Sequence, residues 1–440
     1  MNLIYSMIHL GCPKNLIDTE KILGKLADHN CMITPNPEDS DVVLINTCGF
    51  IESARQEARE NIQEMLQLKK QGIIKAVIVL GCFAQLYRDK LFQEFPTLDG
   101  VIGFCNYDNI ISQIESILQK KQNLYIQKES FIPNDDLRLR ITEQNYAYLR
   151  ITEGCNNCCS YCTIPIIRGS MRSKSPETIL NEAKMLIQDG VQELIVIGQD
   201  TGSYGTDIPN NPTKLYELIA KISELPNLHW IRIMYIHPGH FQEQFLKIFS
   251  LPHVIPYLEM PIQHINNRIL KSMHRGNTTH ESIEETIKIL RNAIPNIILR
   301  TTVMVGFPGE TEEEFQELYD FLQKAKFDRL GAFIYSAEEN TIAAKLPNQI
   351  PAEVGQRRYD AIMQLQQKIA FENAKQKIGK KLEVVIEDQI NKNQWRARSY
   401  GEAPEIDPCI YIQTPKKLTL GRFYNVQIKG SKDYDLIGKL

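Results

Sequence analysis

The chain has 440 residues, 43% of them hydrophobic, and 50 Lys and Arg against 53 Asp and Glu give a net charge of −3. That length suits two to four domains with sizeable cores, and the near-neutral balance argues against a protein coated in nucleic acid, although it leaves room for a local basic patch. No run approaches the roughly eighteen uncharged apolar residues of a membrane helix, and ten cysteines are too few for a disulfide scaffold, so clustered cysteines point to metal or catalysis in a reducing compartment.

Residues 1 to about 138 alternate strand and helix. Leu3 to Leu10 is a short apolar run that carries the letters of a lipoprotein cleavage box at Leu10-Gly11-Cys12. No basic segment precedes it and His9 interrupts it, so the expectation is a cytoplasmic protein with no membrane partner. A helical pattern follows over Leu16 to Asn30. Asp41 to Asn46 reads as a buried strand ending at Thr47-Cys48-Gly49, and Ile51 to Gln71 as a long helix with Gly72 as its stop. Ala76 to Leu80 is a third strand, ending at Gly81-Cys82 and followed by a helix. This alternation predicts a doubly wound parallel sheet. Cys12, Cys48 and Cys82 each stand at the carboxyl end of a strand beside glycine, the edge where open α/β sheets bind ligands. Three such equivalent positions favour one shared thiolate site over three unrelated buried cysteines. Cys31 and Cys105 read as structural. A helix over Tyr107 to Gln119 and a polar stretch around Pro133-Asn-Asp-Asp136, read as a linker, complete the region.

Strand candidates in the next part are Tyr146–Ile151, Glu193–Gly198, Leu228–Met234, Tyr257–Pro261, Ile297–Val305 and Leu330–Tyr335. Between them lie helices at Pro176–Asp189, Thr213–Glu224, Phe241–Ser250, Asn267–Met273, Ser282–Ile294 and Glu312–Ala325. Six such units predict a partial (β/α)6 barrel with its chemistry at the carboxyl ends of the strands. Straight after the first strand, Cys155, Cys159 and Cys162 are spaced C-x3-C-x2-C. Three thiolates on one loop hold three irons of a four-iron cluster; a fourth cysteine would be needed to close it, so one iron is left for a small molecule. Cys158 creates a second possible set, Cys155–Cys158–Cys162. Polar and glycine-rich residues recur at the later strand ends: Gln199 and Asp200, Tyr235 and His237, Gln263 and His264, Gly306 to Glu310. Each alone is compatible with an ordinary turn. Together they suit a ligand carrying ammonium, carboxylate, ribose and adenine groups.

Glu353 to Ile378 is an amphipathic helix capped by Gly379. Five short strands then fill the tail: Leu382–Glu387, Gln394–Ser399, Ile410–Ile412, Phe423–Lys429 and Tyr434–Leu440. They predict a small antiparallel β-barrel. Over residues 380–440 there are 11 Lys and Arg against 8 Asp and Glu, with few aromatics to stack bases (Trp395, Phe423 and four tyrosines), so this binding module is only mildly suited to nucleic acid. The domains are expected at 1–138, 139–375 and 376–440.

The three-cysteine loop on a partial barrel, with Tyr161 before the last cysteine, resembles the radical S-adenosylmethionine superfamily. The order α/β domain, radical barrel, small TRAM-like barrel is similar to that of its methylthiotransferases. Leu10-Gly-Cys-Pro-Lys-Asn-Leu16 with Asp18 and Glu20, Gly198-Gln-Asp-Thr201, Pro261-Ile-Gln-His264, Ala403-Pro-Glu-Ile-Asp407 and Asp433-Tyr-Asp-Leu436 resemble the branch that modifies a ribosomal protein, the RimO type. Cys409 departs from the glycine-rich turn of that branch.

The resemblance implies two 4Fe-4S clusters, one on Cys155, Cys159 and Cys162 with Cys158 a bystander, the other on Cys12, Cys48 and Cys82. It implies S-adenosyl-L-methionine as cofactor, with Gln199, Asp200, Gln263, His264, Gly306 and Glu310 as candidate contacts. The implied reaction is methylthiolation of an aspartate β-carbon in small-subunit ribosomal protein S-twelve. An electron donor of flavodoxin or ferredoxin type and a sulfur donor would be its further partners. An unactivated C–H bond has no useful acidity, which is why such a reaction needs a radical supplied by the cofactor. Two rivals remain open. A transfer-RNA adenosine methylthiotransferase would favour a strongly basic tail barrel. A non-catalytic iron–sulfur carrier or RNA-binding protein would not need a six-unit barrel with a polar rim.

Overall fold

The computed structural model describes residues 3–104, 109–119, 122–126, 132, 135, 137–142, 145–209 and 213–440. Cys105, the expected helix start at Tyr107, and Pro133, Asn134 and Asp136 of the expected linker lie outside the described residues. The chain forms two compact units. One joins Met1–Ile141 with Arg150–Glu182 and Ser336–Ala344; the other joins Thr142–Leu149 with Ala183–Tyr335 and Lys345–Leu440.

The first unit runs β1 (Ile4–His9), α1 (Pro13–Asp28), β2 (Met32–Thr34), β3 (Val42–Thr47), α2 (Glu52–Lys70), β4 (Ala76–Gly81), α3 (Cys82–Tyr87), α4 (Lys90–Glu94), β5 (Gly100–Ile102), α5 (Ile110–Gln119) and β6 (Asn123–Tyr125). Its strands pair in parallel in the order β2-β1-β3-β4-β5-β6, as the doubly wound reading expects. The residue alternation along each strand explains the two layers. Val42, Leu44, Ile78 and Leu80 pack on one face with Ile22 and Leu26 of α1 and Ile114 and Ile117 of α5. Val43, Ile45, Val77 and Val79 pack on the other with Ala58, Ile62 and Met65 of α2. Both faces are covered, so the strands are continuous apolar runs, and each such side chain contributes about 1.5–3 kcal/mol on burial. Helix α1 starts at Pro13 rather than Leu16, because proline's fixed φ suits a first helical turn. The sequence pattern does not reveal β2, β5 and β6, since three residues are too few to show a period.

β7 (Tyr146–Arg150) leads into a short antiparallel pair, β8 (Thr152–Glu153) with β9 (Arg172–Ser173), which brackets α6 (Ile164–Arg168). The expected linker is not a solvated segment at Asp135 and Arg138. Asp135 accepts from Arg150 at 2.7 and 3.0 Å and from Lys174 at 2.5 Å. Arg138 bonds Glu20 at 2.5 Å and Glu182 at 2.8 Å. All of these side chains are buried, and a buried charge needs a partner of opposite sign. These pairs explain why residues 150–182 group with the N-terminal sheet instead of with the barrel that follows them in sequence.

The second unit continues with α7 (Pro176–Gln188, divided between the units at Glu182), β10 (Glu193–Ile197), α8 (Leu215–Ser223), β11 (Trp230–Ile233), β12 (Val254–Glu259), α9 (Asn267–Ser272), α10 (His280–Ala293), β13 (Ile298–Val305), α11 (Glu312–Ala325), β14 (Arg329–Ile334) and α12 (Ala352–Lys377). Its strands lie in sequence order, β7-β10-β11-β12-β13-β14, and β10 to β14 are parallel. This is the open six-stranded barrel expected from the sequence. Helix α11 has its expected limits because Thr311 caps it, accepting from the Glu314 amide while the Glu314 carboxylate accepts from that of Thr311. The expected helix at Phe241–Ser250 is a 3-10 segment, Glu243–Ser250.

β15 (Lys381–Asn391), β16 (Gln394–Ser399), β17 (Ile410–Gln413), β18 (Phe423–Lys432) and β19 (Asp435–Lys439) close into a barrel. Its pairings are antiparallel except β17 with β19. The end of β16 and the segment that follows it reach back to the parallel strands. Asp407 accepts from the Tyr257 hydroxyl at 2.7 Å and pairs with Arg300 at 2.5 Å. Glu405 accepts from Tyr146, Glu402 pairs with Arg329, and Arg398 pairs with Glu193. Burial alone would raise the Glu402 carboxyl, but Lys377, Arg329 and the Ser399 hydrogen bonds outweigh it and hold the group at about 2. The Ala403–Asp407 run is therefore a structural plug against the amino-end side of the strands.

Candidate cysteine centres

Three cysteines meet where the strand order of the first sheet reverses. In a doubly wound sheet of this order the ligand crevice lies between β1 and β3. Cys12 follows β1 and occupies the N-cap of α1, Cys48 follows β3, and Cys82 opens α3 after β4. Glycines bring the turns together. A side chain on Gly11 would come within 2.8 Å of the Cys48 Cβ, and one on Gly49 within 3.0 Å of the Cys82 carbonyl carbon. Gly81 has φ +92°, and a Cβ there would lie 2.2 Å from Asn46 Oδ1, so only glycine fits this turn. Cys12 is exposed, Cys48 half-buried and Cys82 buried. Burial and the neighbouring Cys12 raise the Cys48 thiol. Burial pushes the Cys82 thiol up to about 12, against the pull of Arg168, whose Nη2 lies 3.3 Å from its sulfur.

The second group lies on the loop between β8 and α6. Backbone amides already point at its sulfurs: Asn157 donates to Cys155 Sγ at 3.5 Å and Ile164 to Cys162 Sγ at 3.4 Å. Amide donors of this kind stabilise thiolates and tune iron–sulfur clusters. A turn closed by the Cys162 amide on the Cys159 carbonyl sets the end of the loop. Cys155, Cys159 and Cys162 are half-buried, whereas Cys158 is exposed with φ +48°. Cys158 thus occupies the left-handed residue that turns the loop. None of the nine described cysteines is in a disulfide. Among the described residues no three His, Cys, Asp or Glu side chains form the tight cage of a single metal ion. The donor set is all thiol, as a four-iron cluster requires.

In the second unit the candidate ligand contacts stand at the carboxyl ends of parallel strands. Asp200, after β10, is buried and accepts from Ser203 Oγ at 2.8 Å, His240 Nδ1 at 2.5 Å and the His237 amide at 3.2 Å. Burial and Arg275 lower His237 to about 3, so it is neutral. Gln263, after β12, has φ +68° and bridges to Val303. His264 and Glu310 are fully buried. His264 Nδ1 accepts from the Asn266 amide at 3.0 Å, which leaves Nε2 to donate to Glu310 at 3.4 Å. Glu310 also accepts from the Gly306 amide and pairs with Arg358 at 3.0 Å. His264 and Glu310 therefore brace the Gly306 turn, whose glycine has φ +73°. The sequence reading does not pick out the buried charges of the first unit, notably Arg168, Arg150 and Glu153. The available signal was Asp18 and Glu20, two carboxylates on α1 among core residues Ile17, Ile22 and Leu23.

Comparison with known proteins places these features in a family. Residues 149–322 match the radical SAM superfamily, residues 5–103 the uncharacterized protein family UPF0004, and residues 378–440 the TRAM domain. The ribosomal protein uS12 methylthiotransferase RimO of Clostridioides difficile (strain 630) is 44% identical over 431 residues, covering 98% of this chain and 97% of that protein. The RimO of Caldicellulosiruptor saccharolyticus is 44% identical over 437 residues, with 98% of each covered. Among solved structures, the radical S-adenosylmethionine methyltransferase TsrM from Kitasatospora setae superposes with a TM-score of 0.55 at 15% identity, over 76% of this chain and 75% of its own. The cobalamin-dependent S-adenosylmethionine radical enzyme OxsB gives 0.51 at 13%, over 83% and 56%; at such identities the likeness is one of fold. With both cysteine groups, the polar strand-end rim and the closed tail barrel in place, the chain belongs to the RimO family of radical S-adenosylmethionine methylthiotransferases.

Proposed function

We propose that this chain methylthiolates the β-carbon of an aspartate in ribosomal protein uS12 (S-twelve), using two 4Fe-4S clusters and S-adenosyl-L-methionine. The observation that carries the two-cluster reading is the glycine packing that joins Cys12, Cys48 and Cys82 at the β1/β3 crevice, apart from the complete three-thiol loop at Cys155, Cys159 and Cys162. The relatives' names, which print ribosomal protein uS12, support the choice of protein substrate; the aspartate β-carbon is what the family resemblance implies.

Cys155, Cys159 and Cys162 would hold one cluster, and Cys12, Cys48 and Cys82 the other. When bound, the first cluster would supply the electron for reductive cleavage of S-adenosylmethionine, and the second would supply sulfur. The chain's own residues bind and orient. Gln199, Asp200 and Gln263 offer polar groups to the S-adenosylmethionine, Gly306 offers a turn that a ligand can approach closely, and His264 and Glu310 keep that turn in place. His237 is neutral, and Asp200 is held in place by Ser203, His240 and the His237 amide. A flavodoxin- or ferredoxin-like donor would supply electrons, a separate sulfur donor would replenish the second cluster, and the cytoplasm is where the ribosomal substrate is met.

Transfer RNA is the weaker reading. Trp395 is in the barrel core and Phe423 stacks on His229 at 3.7 Å, so neither is presented for base stacking. The test compares a strain lacking the gene with its parent. Loss of a methylthio mass from uS12 with unchanged transfer-RNA nucleosides is expected; the reverse result rejects the substrate.

A further inference from the structure

We infer that Arg168 is a positioning residue for the cluster on Cys12, Cys48 and Cys82: it holds the Cys82 sulfur by a charged hydrogen bond and sets the potential at which that cluster accepts an electron. The inference rests on the two-cluster reading. Arg168 ends α6, six residues after Cys162, and is buried. Its Nη2 lies 3.3 Å from Cys82 Sγ and 2.7 Å from Asp18 Oδ2, and its Nη1 lies 3.1 and 3.0 Å from the two Glu153 oxygens. The guanidinium carbon sits 4.5 Å above the Phe104 ring.

The fork is held from both sides. Asp18 and Glu153 each also pair with Arg150, at 2.7 and 2.8 Å, so two carboxylates and two guanidinia alternate in a buried ring. Within that ring the charges balance. The Cys82 thiolate, formed when the thiol gives up its proton to bind iron, is an additional anion that Arg168 meets directly. Three properties of arginine matter here: a planar fork, a charge that is never lost, and a face that stacks on an aromatic. A donor on a ligating sulfur withdraws electron density, and a nearby positive charge offsets the electron gained on reduction. Both raise a cluster's potential. Groups that orient metal ligands in this way commonly change metal affinity by about 10- to 100-fold when removed.

The experiment uses the full-length chain with Cys155→Ala, Cys159→Ala and Cys162→Ala, reconstituted anaerobically with iron and sulfide, so that only the Cys12–Cys48–Cys82 cluster reports. Arg168→Met and Arg168→Lys are made in that background, with circular dichroism and gel filtration as folding controls. Potentials come from a redox titration followed by electron paramagnetic resonance, and iron release is timed with a ferrous chelator. Arg168→Met is expected to move the midpoint to more negative potential and to speed iron release by about tenfold or more. Arg168→Lys, which keeps the charge and loses the fork, is expected to move the midpoint less. An unmoved midpoint in folded Arg168→Met overturns the inference, since a residue that only supported the fold would leave the potential alone. If Arg168→Met does not fold, the Lys variant decides: a shifted midpoint supports the role and an unmoved one overturns it. A triple-alanine parent that holds no iron rejects the two-cluster reading itself and the inference with it, which is distinct from an iron-loaded parent whose potential ignores Arg168.

Discussion

Cys155, Cys159 and Cys162 fall within eight residues of one loop, while Cys12, Cys48 and Cys82 come from the ends of three strands more than thirty residues apart. The loop is a local device. Gly154 enters it at φ +76° and Cys158 turns it at φ +48°, and its own amides face two of its sulfurs. The strand-end group exists only once β1, β3 and β4 are paired and Gly11, Gly49 and Gly81 let their turns touch. One centre thus depends on a short stretch of backbone and the other on the whole sheet, so the two should be separable by mutation.

The largest effects test that separation directly. Cys155→Ala is expected to abolish 5′-deoxyadenosine formation from S-adenosylmethionine and a reductant. Cys48→Ala is expected to leave that cleavage within a few fold of the parent while methylthio transfer to uS12 disappears. Product analysis by mass spectrometry measures both. Equal loss of both activities in Cys48→Ala would break the division between the centres.

A pair of glycine variants should separate the two centres without touching a thiol. Gly81→Ala places a methyl group 2.2 Å from Asn46 Oδ1 at a positive φ, and Gly154→Ala places one 2.2 Å from Ser170 O at φ +76°. Backbone strain of this kind costs about 1–3 kcal/mol. Gly81→Ala should lose the iron of the strand-end centre and keep that of the loop, and Gly154→Ala should do the opposite. Iron per chain, measured in each variant with and without the three loop cysteines, distinguishes the outcomes. Loss from both centres in either variant would mean that they fold as one.

These positions also mark what the amino-acid sequence discloses. The doubly wound sheet, the six-stranded open barrel and the tail barrel are legible because long apolar runs and alternating patterns carry a period, and both cysteine groups are legible because thiols at strand ends and at C-x3-C-x2-C spacing are rare. The ion pairs are not. Asp135 reads as part of a polar linker because its partners Arg150 and Lys174 lie 15 and 39 residues away, and a local pattern cannot reveal a distant partner. Nor does a pattern show that His264 and Glu310, 46 residues apart, face each other, or that Ala403–Asp407 packs against the amino-end side of the strands.

The metal-free thiols offer a smaller, graded test. A thiol held up at about 12 is almost wholly protonated at pH 8, and only the thiolate reacts. Alkylation of Cys82 in folded apoprotein should therefore be slow at pH 8 and climb about tenfold per pH unit toward its pKa. Peptide mapping after timed iodoacetamide pulses gives the rate. Fast labelling of Cys82 at pH 8 in folded protein would show that the strand-end centre is looser than its packing.

The smallest expected effect belongs to Cys158, the residue that leaves two ligand sets open in the sequence. Its exposure and left-handed backbone set it apart from the half-buried Cys155, Cys159 and Cys162. Exposure alone does not exclude a ligand, since Cys12 is exposed as well; the positive φ of the turning residue, absent at Cys155, Cys159 and Cys162, is what singles Cys158 out within the loop. Asn and Asp adopt this backbone conformation more readily than other non-glycine residues, and Cys158→Asn keeps the turn while removing the thiol. It should retain the iron content of the parent and cleave S-adenosylmethionine at a rate within about twofold, whereas Cys159→Asn should lose the loop cluster. If Cys158→Asn loses that cluster and Cys159→Asn keeps it, the ligands are Cys155, Cys158 and Cys162, and the loop must rearrange on binding iron.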